Sequence, residues 1–167
     1  MQNASELRTN EWLRDEAKSL WKNFFTDAPK KNMITVQFGR PAKARLGSIR
    51  LTRKKKSKVI MNGLFRSTHV PQQVVQGILA HEFTHYIQGF GSELPKLSLH
   101  PHRCRLVDEE MERRGLGEIL EFQKKWIKAH WENVVKKNLP RKAKKHIRRR
   151  TRSSFFQRQI RSFLKTR

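Results

Sequence analysis

Cys104 is the only cysteine in 167 residues, so no internal disulfide can form and nothing points to an oxidising compartment. No apolar run approaches the roughly 20 residues that a membrane-spanning helix needs. Met1 to Glu6 shows no apolar stretch behind a basic one, and a cytoplasmic location is expected. Acidic residues are scarce, 14 against 38 lysines and arginines, and none follows Glu132. The formal charge of +24 exceeds anything solubility requires and repels itself in the compact state. A polyanionic partner is therefore expected: nucleic acid first, then an anionic membrane or an acidic protein.

The basic charge is blocked rather than spread. Lys136 to Arg152 reads KKNLPRKAKKHIRRRTR, and a smaller cluster stands at Arg53-Lys54-Lys55-Lys56. Beyond the first block, Phe155, Phe156, Ile160, Phe163 and Leu164 form a helical stripe. That stripe suits docking on the core, with the basic segment offered to a phosphate backbone. Lying on an anionic membrane and remaining a solvated tail are the alternatives. No base-reading motif is present, so any nucleic-acid binding should be independent of sequence. We expect a domain over residues 1–137 and a basic extension over residues 138–167.

Apolar spacing predicts a first helix from Ala4 to Thr26, stopped by Asp27-Ala28-Pro29. Three strand-like runs follow: Met33–Phe38, Leu46–Leu51 and Val59–Asn62. The short links between them suit antiparallel pairing. Pro71 opens a strongly apolar helix, with Gly91 as its stop. Gly77, in mid-helix, marks a close backbone approach, expected of the sheet. Further helices are expected near Arg103–Arg114, ended by Gly115, and over Ile119–Val135.

The second of these helices carries His81-Glu82-Phe83-Thr84-His85. Histidines four residues apart share one helix face and can reach one zinc ion. A glutamate directly after the first histidine reaches the water on such an ion rather than the ion itself, and can act as general base. With seven histidines and eleven glutamates in the chain, this pattern arises by chance about 0.02 times. Histidines incidental to a surface helix are the bland alternative, and the apolar surroundings oppose it.

A catalytic zinc needs a third protein ligand and one open position. His100, His102 and the acidic cluster Asp108, Glu109, Glu110 and Glu112 are candidates, histidine being the commonest metal ligand. The acidic cluster also fits i,i+4 pairing of Glu109 with Arg113 and Glu110 with Arg114.

Arg45-Leu46-Gly47-Ser48-Ile49-Arg50-Leu51, then Ile60-Met61-Asn62, Val70-Pro71 and Ile78 to Tyr86, together resemble the SprT-like family of zinc metallopeptidases, to which the DNA-dependent protease Spartan belongs. The resemblance covers roughly Trp21 to Gly115. It implies an α+β, zincin-like fold: an N-terminal helix, a small three-stranded antiparallel sheet, the metal helix and C-terminal helices. It implies zinc held by His81, His85 and His100, with Glu82 as catalytic base. His100 lies fifteen residues beyond His85, a spacing found in the family. Pro101 and Cys104 stand where the family has a glycine and an aromatic, which keeps His102 as the alternative third ligand. The four-cysteine zinc ribbon that many bacterial-type members carry is absent.

The implied function is a zinc endopeptidase acting on DNA-bound or DNA-crosslinked proteins, with DNA favoured over RNA. Tyr86 follows the motif but falls on the opposite face and is expected in the core. A basic nucleic-acid-binding protein with a structural or vestigial zinc site is the alternative, and Glu82 opposes it because a structural site has no use for a general base. Glu82 also opposes a zinc-dependent nuclease.

Overall fold

A computed structural model describes residues 7–98 and 105–139. His100, His102, Cys104, the C-terminal basic block beyond Leu139 and its aromatic stripe lie outside the described residues.

The chain is α+β, with four helices beside a three-stranded mixed sheet: α1 Asn10–Phe24, β1 Ile34–Phe38, β2 Gly47–Leu51, β3 Ser57–Met61, a short 3₁₀ turn Gly63–Arg66, α2 Gln72–Ile87, α3 Leu106–Arg113 and α4 Gly117–Asn138. No described helix is long and apolar enough to cross a membrane.

Helix α1 starts later than its apolar spacing suggests. Thr9 caps it by accepting from the Trp12 N–H at 3.1 Å. It buries Leu13, Ala17 and Leu20. Helix α2 begins just after Pro71 and ends at Ile87, short of the expected Gly91. Gly89, at φ +84°, takes the left-handed position that closes the helix, and its N–H bonds the Tyr86 carbonyl. Gly115, at φ +79°, ends α3 as expected.

The sheet corrects the sequence reading. Its order is β1-β3-β2, with β1 parallel and β2 antiparallel to β3. The link from Gly39 to Leu46 does not close a hairpin between neighbours. It carries the chain past the place that β3 later fills. Apolarity explains the order: Val59 and Met61 of β3 are fully buried and take the centre, whereas β2, with Gly47 and Arg50, suits an edge. Asn62 fixes the long link. Its amide donates to the Ala42 and Arg45 carbonyls, and its Oδ1 accepts from the Ala42 and Leu64 N–H groups.

Helices α1 and α2 pack on the sheet, on the side of the buried Val36, Phe38, Val59 and Met61, and α3 and α4 pack in turn against α2. Helix α2 touches α1, α3, α4, β2 and β3. On its α1 side Phe83 and Tyr86 meet Trp21 and Phe25 edge to face, with ring centroids 5.2–5.7 Å apart. Tyr86 is a core residue, as expected, and its hydroxyl donates to Asn32 at 2.8 Å. Gly77 does mark a close approach, but of α4: a Cβ there would stand 2.2 Å from Gln123 Oε1.

Arg114 joins the ends of α1 and α3. Its guanidinium donates to the Phe24 carbonyl, Asp27 and Glu110 and lies over the Phe25 ring. Arg113 forms a two-pronged pair with Glu110, not with Glu109. The Arg113 and Arg114 bonds hold the Glu110 carboxyl below its usual range against a partial burial cost. A carboxyl depressed in the folded state binds fewer protons there than in the unfolded state. Its stabilisation is therefore present above the ordinary carboxylate pKa of about 4.3 and disappears as pH falls through the folded value. Urea unfolding between about pH 3 and pH 6 should show this acid weakening in the wild type and a flatter profile in Glu110→Gln. Parallel profiles would remove Glu110 from the acid response.

Candidate metal centre

One turn of α2 carries two imidazoles and a carboxyl into the interior. His81, Glu82 and His85 are only 4%, 3% and 5% exposed. Their neighbours Leu79, Ala80, Phe83 and Thr84 are also buried, so all sides of this turn are covered. Such a helix cannot show the one-sided apolar stripe of a surface helix. The Thr84 hydroxyl satisfies itself on the Ala80 carbonyl at 3.0 Å.

The two imidazoles converge. His81 Nε2 and His85 Nε2 lie 3.0 Å apart, with rings nearly perpendicular at 87°. A zinc ion about 2.0–2.1 Å from each nitrogen is compatible with that separation, so the pair fits the metal that the motif implies. The Phe90 ring stands edge-on to His85, 6.0 Å between centroids, beyond the end of α2.

Among the described residues no set of three or more His, Cys, Asp or Glu side chains gathers as a metal site. His100 and His102, the candidate third ligands, are outside them. The acidic cluster is engaged elsewhere. Asp108 is buried and paired with Lys124 at 2.8 Å, Glu110 holds Arg113 and Arg114, and Glu112 lies 3.5 Å from Arg105. Pairing within and between helices thus accounts for these three carboxylates, with Arg113 bound to Glu110 where Glu109 was expected.

Comparisons with family models, curated proteins and solved structures find no match for this chain. Its chemistry must be read from its own geometry.

Glu82 lies beneath β2. A Cβ on Gly47 would stand 2.6 Å from Glu82 Oε1 and 3.0 Å from Ile78 Cγ2, so this strand position admits only glycine without displacement. Burial pushes the Glu82 carboxyl up to about 8, against the opposing pull of the Arg45 charge. A carboxyl in that range can exchange protons near neutral pH.

Strand β2 is also an edge. Asn62 N–H donates to the Leu46 carbonyl, and Thr52 N–H to the Lys56 carbonyl. By antiparallel alternation the backbone groups of Gly47, Ile49 and Leu51 therefore point away from β3. Among the described residues no strand pairs with them. Sequence reasoning marks the β2 run but not Gly47 as the neighbour of Glu82, because that approach joins residues 35 positions apart.

Gly47→Ala should cost about 1–3 kcal/mol in urea unfolding, as expected for forcing atoms into a filled core. Ser48→Ala, one residue along, should change stability by less than about 0.5 kcal/mol. Equal effects at both positions would contradict the close packing of β2 on Glu82.

Proposed function

We propose that this chain is a zinc-dependent endopeptidase of the SprT-like type, with a zincin-like fold, acting on proteins bound or crosslinked to DNA. The observation that carries the reading is the convergence of His81 and His85 Nε2 at 3.0 Å beside the buried carboxyl of Glu82. Two imidazoles and a carboxyl are costly to gather in one buried turn, and a shared metal offsets that cost.

Zinc, held by His81, His85 and His100, with His102 as the alternative third ligand, would supply Lewis-acid chemistry to a peptide carbonyl and to water. The chain supplies the rest. Glu82, deprotonated, takes a proton from the attacking water and passes it to the leaving amide nitrogen as the peptide bond breaks. The outward N–H and C=O groups of Gly47, Ile49 and Leu51 offer an extended substrate a strand to pair with, directly above Glu82. Gly47, lacking a side chain, keeps that approach open.

The nucleic-acid half of the reading rests on the +24 charge and on the basic block from Lys136 to Arg152. Without base-reading features, such binding is expected to be independent of sequence. A cytoplasmic setting fits a single cysteine and the absence of a membrane-spanning helix among the described residues.

Glu82→Gln is the direct test. The amide fills the same space and leaves both imidazoles in place, so zinc content and melting temperature should stay within the wild-type range. Cleavage of an unstructured protein substrate, with and without DNA, should fall by at least about a hundredfold because an amide cannot accept the water's proton. A variant as active as the wild type would contradict the role of Glu82. A wild type that cleaves nothing under either condition would contradict the peptidase.

A further inference from the structure

From Ala28 to His81 the chain has no acidic residue but twelve lysines and arginines. This stretch includes the whole sheet. Val36, Phe38, Ser57, Val59 and Met61 turn inward to the helices, so alternation puts Thr35, Gln37, Ser48, Arg50, Lys58 and Ile60 on the opposite, outer face. There Arg50 of β2 and Lys58 of β3 are direct cross-strand partners. Like charges at such a position destabilise a sheet. Neither has an ion-pair partner among the described residues.

The turn beyond them repeats the pattern. Arg53, Lys54, Lys55 and Lys56 join β2 to β3. Thr52 N–H donates to the Lys56 carbonyl and Lys55 N–H to the Thr52 carbonyl, both at 2.9 Å. Lys55 stands at φ +55°, where glycine or asparagine is the ordinary choice. A cation thus occupies a backbone position that favours other residues. Of the six basic residues, Lys55 alone approaches a carboxylate among the described residues, Glu93 at 3.5 Å, in a pair with its ammonium well exposed.

We propose that the outer face of the sheet, rimmed by the Arg53–Lys56 turn, binds the phosphate backbone of a nucleic acid independently of the C-terminal basic block. Neighbouring cations repel one another in the free protein, and that repulsion is relieved when phosphates interleave them. Gln37 and Ser48 place amide and hydroxyl donors on the same face, the groups that supplement lysine and arginine on phosphate oxygens, while the Thr35 hydroxyl donates to the Ser57 carbonyl. Helix α2, with the paired imidazoles, packs on the inner side of the sheet. A bound backbone would therefore leave α2 uncovered. The inference rests on the nucleic-acid half of the proposed function and not on the peptidase.

The test uses the full chain, an Arg50→Gln/Lys58→Thr variant and a Lys54→Gln/Lys56→Gln variant. Each is titrated by fluorescence anisotropy against a short labelled DNA duplex over a series of salt concentrations, and in parallel against phosphatidylserine vesicles. Every phosphate that a variant no longer neutralises should lower the slope of log affinity against log salt by about 0.9. Either double variant should therefore show a slope shallower by close to two units. Low-salt affinity should fall about tenfold or more, with the C-terminal block intact. The melting temperature of Arg50→Gln/Lys58→Thr should hold or rise, because a like-charge pair has been removed. The turn variant, altered only at exposed residues, gives the same reading if the sheet variant fails to fold.

Wild-type affinity and slope in the turn variant and in a folded sheet variant would overturn the sheet-face site while leaving nucleic-acid binding standing. A wild type that binds no duplex would overturn both. Unchanged duplex binding with weakened vesicle binding in the variants would overturn the site in favour of a membrane surface.

Discussion

The structure depends on the burial of α2 from Gly77 to Tyr86. A helix that carries two imidazoles and a carboxyl through the interior strips most of the solvent from polar groups, and that is costly unless they are satisfied. The surrounding elements can be understood as the enclosure of that turn. Aromatic rings of α1 close one side, β2 and β3 another, and α3 with α4 the remainder. The close approaches belong to the same enclosure: Gly47 admits Glu82, and Gly77 admits Gln123 of α4. Both are glycines because the opposing group already fills the space of a Cβ.

Enclosure of the core on one side of the sheet puts a different chemistry on the other. The helical side holds the apolar core and the long-range acid–base pairing of Arg114 with Asp27 and Lys124 with Asp108. The outer side carries cations with little to balance them. A protein whose charge served solubility alone would intersperse signs. Here the carboxylates join helices, and the surplus of positive charge is left on surfaces.

Periodic and local features are legible in the sequence. The paired histidines at i and i+4, the core position of Tyr86, the proline ahead of α2 and the stop at Gly115 each depend on residues within a turn or two. Sheet order is not legible, because short links suggest neighbouring strands, whereas Gly39–Leu46 spans an intervening one. Contacts between distant residues are equally hidden. Nothing local marks Asn62 as the clamp of that link, Arg114 as the tie between α1 and α3, or Gln123 as the neighbour of Gly77. A mid-helix glycine signals a close approach at Gly77, but its partner depends on where α4 returns. The candidate third ligands, His100 and His102, fall outside the described residues, so their place in the site rests on spacing and resemblance.

The paired imidazoles of His81 and His85 are proposed to hold one zinc ion together, and the peptidase reading stands on that pairing. Metal analysis of protein purified without added metal tests it most directly, comparing the wild type with His81→Ala and His85→Ala under conditions where all three remain folded. Close to one equivalent of zinc is expected in the wild type and little in either variant. Zinc absent from the wild type, or unchanged in both variants, would contradict the site.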